Sequence, residues 1–457
     1  MTIKETLENY IKEDIYPFHM PGHKRLLESK NPYAIDMTEV ENVDDLHDPS
    51  GPIARDQGRI ARLYGSHSSY ILVGGSTVGN LAAIYAACNE GDKILIQRNS
   101  HKSVYNALTL RHLSVDYLYP EIGENGIYRA VTKEEIKGKL DEDRDIKALV
   151  ITSPTYEGYH SPIKEIGEIC HKRGVILIVD QAHGAHLGFD ENFKNPAAAY
   201  ADITIQSLHK TLPSLTQTAI LHIKGDRVSP EKIREALDIF ETSSPSYVLM
   251  HSVSNCVDIL ENSRDIFREY MDKLEDFYQK SAKLLHIKII QESTEIKDPG
   301  KIIIDCSKTN ITGSDLAEKL RRDYKIETEL SSFGYVLAMT SIMDTKEGFD
   351  RLENALRIID EKLSEGRIQV PDIGARGQKV MEPWEAKAGM ERKLPLDEAI
   401  GRVSAAMVCL YPPGSPLLVP GEVIKEESLE IIREARDKNI HVTGLFEDFV
   451  SIVSKGE

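Results

Sequence analysis

The chain has 457 residues, with 56 basic against 73 acidic side chains and a net charge of −17. That length asks for one large domain plus one or two smaller ones, and the acidic balance argues against nucleic acid or an anionic membrane as the main partner. Five widely spaced cysteines without a C-x-x-C pair suggest neither a disulfide framework nor a zinc site, and no window holds the ~18 apolar residues of a membrane span, so a cytoplasmic protein is expected.

In chain order, Thr6 to Ile15 has the spacing of a short amphipathic helix. It leads into YPFHMPGHKR, Tyr16 to Arg25, where a Pro-Gly turn sits among two histidines and two basic residues. Asp36 to Pro52 reads as an acidic loop. Tyr70 to Asn80, YILVGGSTVGN, passes from an apolar run through glycines and hydroxyls into a helical stretch, LAAIYAACNEGD. Small residues at such a junction leave backbone N–H groups free to meet an anion. The strand Lys93 to Gln97 ends in RNSHKS, ahead of a helix, VYNALTL. After a charged loop, the strand Ala148 to Thr152 leads to Ser153-Pro154-Thr155-Tyr156-Glu157-Gly158, where the residue before proline stays extended.

Val175 to Val179 is an unbroken apolar run, as buried parallel strands are. It delivers Asp180 and then His183, and an acid at the carboxyl end of a buried strand is where open α/β sheets place ligand chemistry. Ile203 to Gln206 ends in Ser207, Leu208, His209, Lys210 and Thr211. On residue type alone, Lys210 reads as a solvated charge more readily than as a functional amine.

Pro230 to about Leu285 has helical periodicity. A βαββα order follows: strand Lys301 to Asp305, helix Gly313 to Tyr324, strands Ile326 to Ser332 and Tyr335 to Thr340, helix Lys346 to Leu363, a small open sheet covered by helices. Beyond a charged linker, CLYPPGSPLLVPGE carries four prolines and is a rigid loop. A last helix, Glu427 to Asp437, and the segment His441 to Phe446 close the chain.

An aspartate followed by Ser-x-His-Lys resembles the pyridoxal phosphate (PLP) enzymes of fold type I, the aspartate aminotransferase-like fold. F-x-M-P-G-H-K, RN-x-H-x-S, T-Y-x-G and Y-P-P-G-x-P-L-x-x-P-G-E are similar to stretches of the Orn/Lys/Arg decarboxylase family, in its short form. The resemblance implies an α/β fold: a fold-type-I PLP-dependent large domain on a mostly parallel seven-stranded sheet, a small α+β domain and a C-terminal α/β domain. The expected segments are 1–25, 26–290 for cofactor binding, 291–365 and 366–457.

It also implies roles. Lys210 carries pyridoxal 5'-phosphate as a Schiff base, and Asp180 keeps its ring nitrogen protonated. His101 stacks on the ring, Ala182 lies against it, and Thr155 and His183 stand beside it. Ser76, Thr77, Ser207 and His209 hold the phosphate, while His23 and Glu422 contact substrate. Two departures from the family pattern are Arg25-Leu26 in place of Gly-Gly and Gln181 in place of glutamate. The implied activity is decarboxylation of a basic L-amino acid, arginine, lysine or ornithine with a lean to arginine giving agmatine, in polyamine biosynthesis by a homodimer sharing active sites. An aminotransferase or carbon–carbon lyase of the same fold is the alternative.

Overall fold

The computed structural model describes residues 2–27, 31–40, 43–262, 264–374, 377–411, 414–438 and 440–454. A seven-stranded sheet runs in the order Ser68–Leu72, Ala219–Ile223, Ile203–Gln206, Ile176–Asp180, Ile146–Thr152, Lys93–Gln97, Ser114–Leu118. Ala219–Ile223 is antiparallel to both neighbours, and the remaining pairs are parallel. Successive residues of the strands enter different cores. Ile94, Ile96, Val150 and Ile178 pack with the helix Gly75–Ala87; Leu95, Leu149, Leu177 and Val179 pack with the helices Lys133–Glu142 and Ile163–His171. Cover on both faces is why these strands are continuous apolar runs.

The helical stretch after the sheet is three helices, Pro230–Phe240, Tyr247–Glu261 and Arg264–Ser281. Phe267, Tyr270 and Leu274 of the third share a core with Ile302, Ile304, Val336 and Ala338. The last four belong to a four-stranded antiparallel sheet, Leu330–Ser331, Tyr335–Met339, Lys301–Asp305, Lys288–Ile290.

Here the sequence pattern misleads. The expected strand Ile326 to Ser332 is divided, and its first part, Ile326–Thr328, pairs in parallel with Tyr16–Phe18. An edge offered from the far amino terminus is not visible in local periodicity. The first helix also starts earlier than its apolar spacing suggests, at Ile3, because Thr2 and Glu5 form a capping box.

The C-terminal part has its own core, including Leu396, Val408, Leu418, Leu429, Ile432 and Val450. It is built from short antiparallel strands and the helix Glu426–Asp437. Pro412 and Pro413 of the proline-rich loop lie outside the described residues. Among the described residues, no helix is long and apolar enough to cross a membrane, and the five cysteines are buried and unpaired.

Candidate active site

Five strand ends of the large sheet deliver the residues singled out in the sequence. All are carboxyl ends, the side on which such sheets bind ligands. Asp180 closes its strand and is buried. Its Oδ2 accepts from Asn80 Nδ2 at 2.9 Å and its Oδ1 from Ala182 N at 3.1 Å. Among the described residues it makes no ion pair. Asn80 also donates to Ser103 Oγ at 2.9 Å, so one amide fixes the carboxylate to the start of the next helix. Sequence reasoning missed Asn80, whose only signal was an amide side chain just ahead of the apolar stretch Leu81–Ala87.

Lys210 lies on the short helix Leu208–Thr211 and is half-buried. Its Nζ is 2.9 Å from His183 Nε2. Burial pulls the amine below the usual lysine range, with Asp180 and Glu329 opposing. The His183 ring packs on Tyr156 with centroids 4.4 Å apart. Burial, with Lys210 and Lys301 beside it, holds this imidazole well below its ordinary range. It is therefore neutral.

Ser76 and Thr77 fall in the first turn of Gly75–Ala87, so the helix begins earlier than expected and the Gly-Gly-Ser-Thr stretch is its N-terminus. Ser207 Oγ donates to Ser76 Oγ at 2.9 Å, tying the lysine-bearing turn to that end. Glu241 accepts from Val73 N and Gly74 N at 3.1 and 3.3 Å. His209 is anchored by Nδ1 on Thr218 O at 2.9 Å, and burial pushes it down to about 4. His101 caps the helix Lys102–Leu110, with Nδ1 2.8 Å from Ser103 Oγ. Thr155 is buried in its own turn, where its Oγ1 accepts from Tyr159 N at 3.2 Å.

The Pro-Gly-His-Lys stretch folds onto the lysine helix. Gly22 N donates to His209 O at 2.7 Å, and a Cβ at Gly22 would come within 2.8 Å of Leu212 O. Glycine is required by that approach. His23 is half-buried, with Nδ1 accepting from Arg25 N at 3.0 Å. Lys24 is structural: its Nζ donates to Pro17 O, His19 O and Met339 O at 3.0, 3.1 and 2.8 Å.

Both departures from the family pattern have physical accounts. Gln181 is fully buried, with Nε2 donating to Ser153 O and Asn195 O at 3.2 and 3.0 Å and Oε1 accepting from Ala197 N and Gln206 Nε2 at 3.1 and 2.9 Å. A glutamate could not donate to those carbonyls. Arg25 takes the left-handed backbone, φ 63°, that glycine adopts freely. Its Nη2 is held on Ile15 O at 2.5 Å.

Glu422 is the residue the structure does not bring to this group. It is fully buried, and its two oxygens accept from Arg98 Nε and Nη2 at 2.9 and 2.7 Å. Arg98 Nη1 donates to Pro416 O at 3.0 Å as well. The sequence-based expectation that Glu422 contacts substrate therefore gives way to a clamp between the strand end before His101 and the C-terminal part. The acid whose charge reaches the Lys210 amine, besides Asp180, is Glu329. Its Oε2 accepts from Met20 N at 2.9 Å, its Oε1 takes the Tyr156 hydroxyl, and its charge acts on Lys210, Lys301 and Lys24.

A buried carboxylate, a desolvated amine and a hydroxyl-rich helix N-terminus lie at the carboxyl ends of neighbouring strands of one sheet. The profile described as Orn/Lys/Arg decarboxylase, major domain, matches residues 2–301, and that of the family's C-terminal domain matches residues 374–448. The chain is 32% identical to an arginine decarboxylase of Bacillus subtilis, over 96% of this chain and 94% of that protein. In structure it is similar to the constitutive lysine decarboxylase of E. coli, at TM-score 0.78 and 22% identity over 99% of this chain and 81% of that one. It also matches a structure of SPT with its PLP internal aldimine, at TM-score 0.54 and 12% identity over 67% of this chain and 75% of that one. The large domain thus has the fold of PLP-dependent enzymes, and the chain belongs to the Orn/Lys/Arg decarboxylase family as an amino acid decarboxylase.

Proposed function

We propose that the chain removes the α-carboxylate of a basic L-amino acid, arginine ahead of lysine and ornithine, with pyridoxal 5'-phosphate held on Lys210. The observation that carries the reading is the buried Asp180 carboxylate, which makes no ion pair among the described residues and whose charge acts on the Lys210 amine. An unpaired buried charge is costly, and the protonated ring nitrogen of PLP is a partner of the right sign. When bound, PLP supplies the sink for the electron pair left as the bond from Cα to the carboxylate breaks.

The chain's own residues do the rest. Asp180, fixed by Asn80, keeps a proton on the pyridine nitrogen. Ser76, Thr77, Ser207 and His209 take the phosphate at the helix N-terminus, where N–H groups and the helix dipole favour an anion. His209 is neutral with Nδ1–H on the Thr218 carbonyl, so its Nε2 would have to take a proton from solvent to donate to a bound phosphate. His101, Ala182 and Thr155 would line the place of the ring. Lys210, once free, would take up a proton given off by the substrate's α-ammonium and deliver it to Cα as general acid.

With Glu422 committed to Arg98, Glu329 is assigned to the cationic end of the substrate. Glu329→Gln is expected to raise KM for the basic amino acid by at least ~10-fold, the effect of removing one charge-assisted hydrogen bond, with kcat changed less. An unchanged KM removes it from the role.

The test of the reaction is carbon dioxide release from the PLP-loaded chain offered arginine, lysine and ornithine separately, with the amine identified. Release from arginine with agmatine as product is expected. No release from any of the three overturns the proposal.

A further inference from the structure

The charge of Asp180 acts on the His101 ring, yet the two side chains do not bond to each other. Between them stand Asn80 and Ser103, both buried. Asn80 Nδ2 donates one hydrogen to Asp180 Oδ2 and the other to Ser103 Oγ, each at 2.9 Å. Ser103 Oγ is 2.8 Å from His101 Nδ1, and Ser103 N donates to the same Nδ1 at 3.3 Å. Three elements supply these four residues. Asp180 ends a strand of the large sheet, Asn80 lies on the helix Gly75–Ala87, and His101 and Ser103 sit at the head of the helix Lys102–Leu110.

The direction of every hydrogen in this chain follows from what each group can do. A carboxylate only accepts, so Asn80 must turn its NH2 and not its carbonyl to Asp180. An amide NH2 only donates, so Ser103 Oγ accepts from Asn80 and its own hydrogen has to go elsewhere. Among the described residues, the one other partner of that hydroxyl is His101 Nδ1. The backbone N–H of Ser103 can only donate, and it meets the same nitrogen. Two donors therefore face the Nδ1 lone pair, which leaves the proton of a neutral ring on Nε2. An imidazolium would set an Nδ1–H against a backbone N–H. The surroundings act in the same sense: desolvation lowers His101 below the ordinary histidine range, with Lys210 and Lys102 on that side, Asp180 opposing and the neutral His183 nearby.

Resting on the reading that His101 lines the place of the PLP ring, we infer that Ser103 is a positioning residue. With Asn80 it keeps His101 a neutral imidazole that carries its proton on Nε2, and so reserves the Asp180 carboxylate for the pyridine nitrogen. A protonated His101 would be a second cation competing for that one anion. The amide and the hydroxyl hold acid and imidazole apart while fixing both. Nε2–H, which makes no hydrogen bond among the described residues, is left as the ring's single donor to a bound ligand.

The test uses the full chain labelled at histidine with 15N and freed of PLP. Two-bond nitrogen–proton correlation at neutral pH reads the tautomer of His101, with His101→Gln assigning the resonance. Nε2–H is expected; Nδ1–H or an imidazolium overturns the inference whatever the variants do. Ser103→Ala keeps the backbone N–H and deletes the hydroxyl. Its His101 titration midpoint should rise by roughly 0.5–1 pH unit, the size of one neutral hydrogen bond lost from the uncharged form, and an unmoved midpoint overturns the inference. In the PLP-loaded chain, release of PLP on acidification, followed by its visible absorbance, should begin at a pH higher by the same amount in Ser103→Ala. Release that stays in place while the midpoint moves overturns the reserving of Asp180 for the ring. Carbon dioxide release alongside an Nδ1–H tautomer would sink this inference and leave the proposed function standing; the Nε2–H tautomer without release would sink the function and leave the hydrogen-bond chain in place.

Discussion

Two sets of buried charge sit at strand ends of one sheet and are handled in opposite ways. Arg98, after the strand Lys93–Gln97, is met by both oxygens of Glu422 and by the carbonyl of Pro416. Asp180 and Lys210, two and three strands along, are desolvated without a counter-charge bonded to either. A paired and saturated ion pair holds two parts of a protein together, and removing one partner leaves the other stranded. Unpaired charges in a cleft are instead a place where a ligand completes the electrostatics. The difference separates glue from chemistry, although the sequence offers both Glu422 and Asp180 as candidate site acids.

Substitutions can break that contrast. The largest effect is expected for Lys210→Ala, which should lose almost all turnover and the visible absorbance of bound cofactor, with no fall in the thermal midpoint of the cofactor-free chain. Normal activity in that variant would end the assignment. Asp180→Asn should keep cofactor binding but turn over at least ~100-fold slower, as loss of a major electrostatic interaction implies, and a wild-type rate would remove it from the mechanism.

Glu422→Gln should show the reverse pattern. Taking the anion from buried Arg98 is expected to lower unfolding free energy by about 3–5 kcal/mol, read from denaturant midpoints, while kcat of the folded fraction falls far less than in Asp180→Asn. The joint change Arg98→Met with Glu422→Leu should recover part of the loss, because neither charge is then left alone. A Glu422→Gln variant with wild-type stability and a collapsed affinity for substrate would restore the acid to the site and dissolve the comparison.

The sequence made the sheet and the strand-end chemistry legible because both are written locally. Continuous apolar runs mark strands covered on both faces, and Asp180, His183, Ser207, His209 and Lys210 each follow such a run directly. What stayed hidden depends on contacts between distant segments. Arg98 meets Glu422, Lys301 meets His183, and Ile326–Thr328 meets Tyr16–Phe18. No periodicity within either member of those pairs names the other. Gln181 is an intermediate case: its departure from the family pattern was visible, but the carbonyls of Ser153 and Asn195 that require an amide there were not.

The smallest effect concerns the other departure, and its sign is a balance. Lys24 and Arg25 both have left-handed backbone, φ 51° and 63°, a conformation that disfavours a side chain by roughly 1–2 kcal/mol. Arg25→Gly removes that strain at one of them but also removes the guanidinium, which bonds Ile15 O and lies 5.4 Å over the Tyr10 ring. A partly exposed contact over an aromatic ring is worth about 0.5–1 kcal/mol, and glycine adds chain entropy of ~0.5–1 kcal/mol to be lost on folding. The terms oppose at similar size, so the unfolding free energy from urea titration should move by no more than about 1 kcal/mol in either direction. Turnover should hold, because Gly22 on His209 O and Lys24 on three carbonyls fasten the loop independently of Arg25. A loss well above that size, with weakened cofactor retention, would mean that Arg25 is what presses the amino-terminal loop onto the lysine helix.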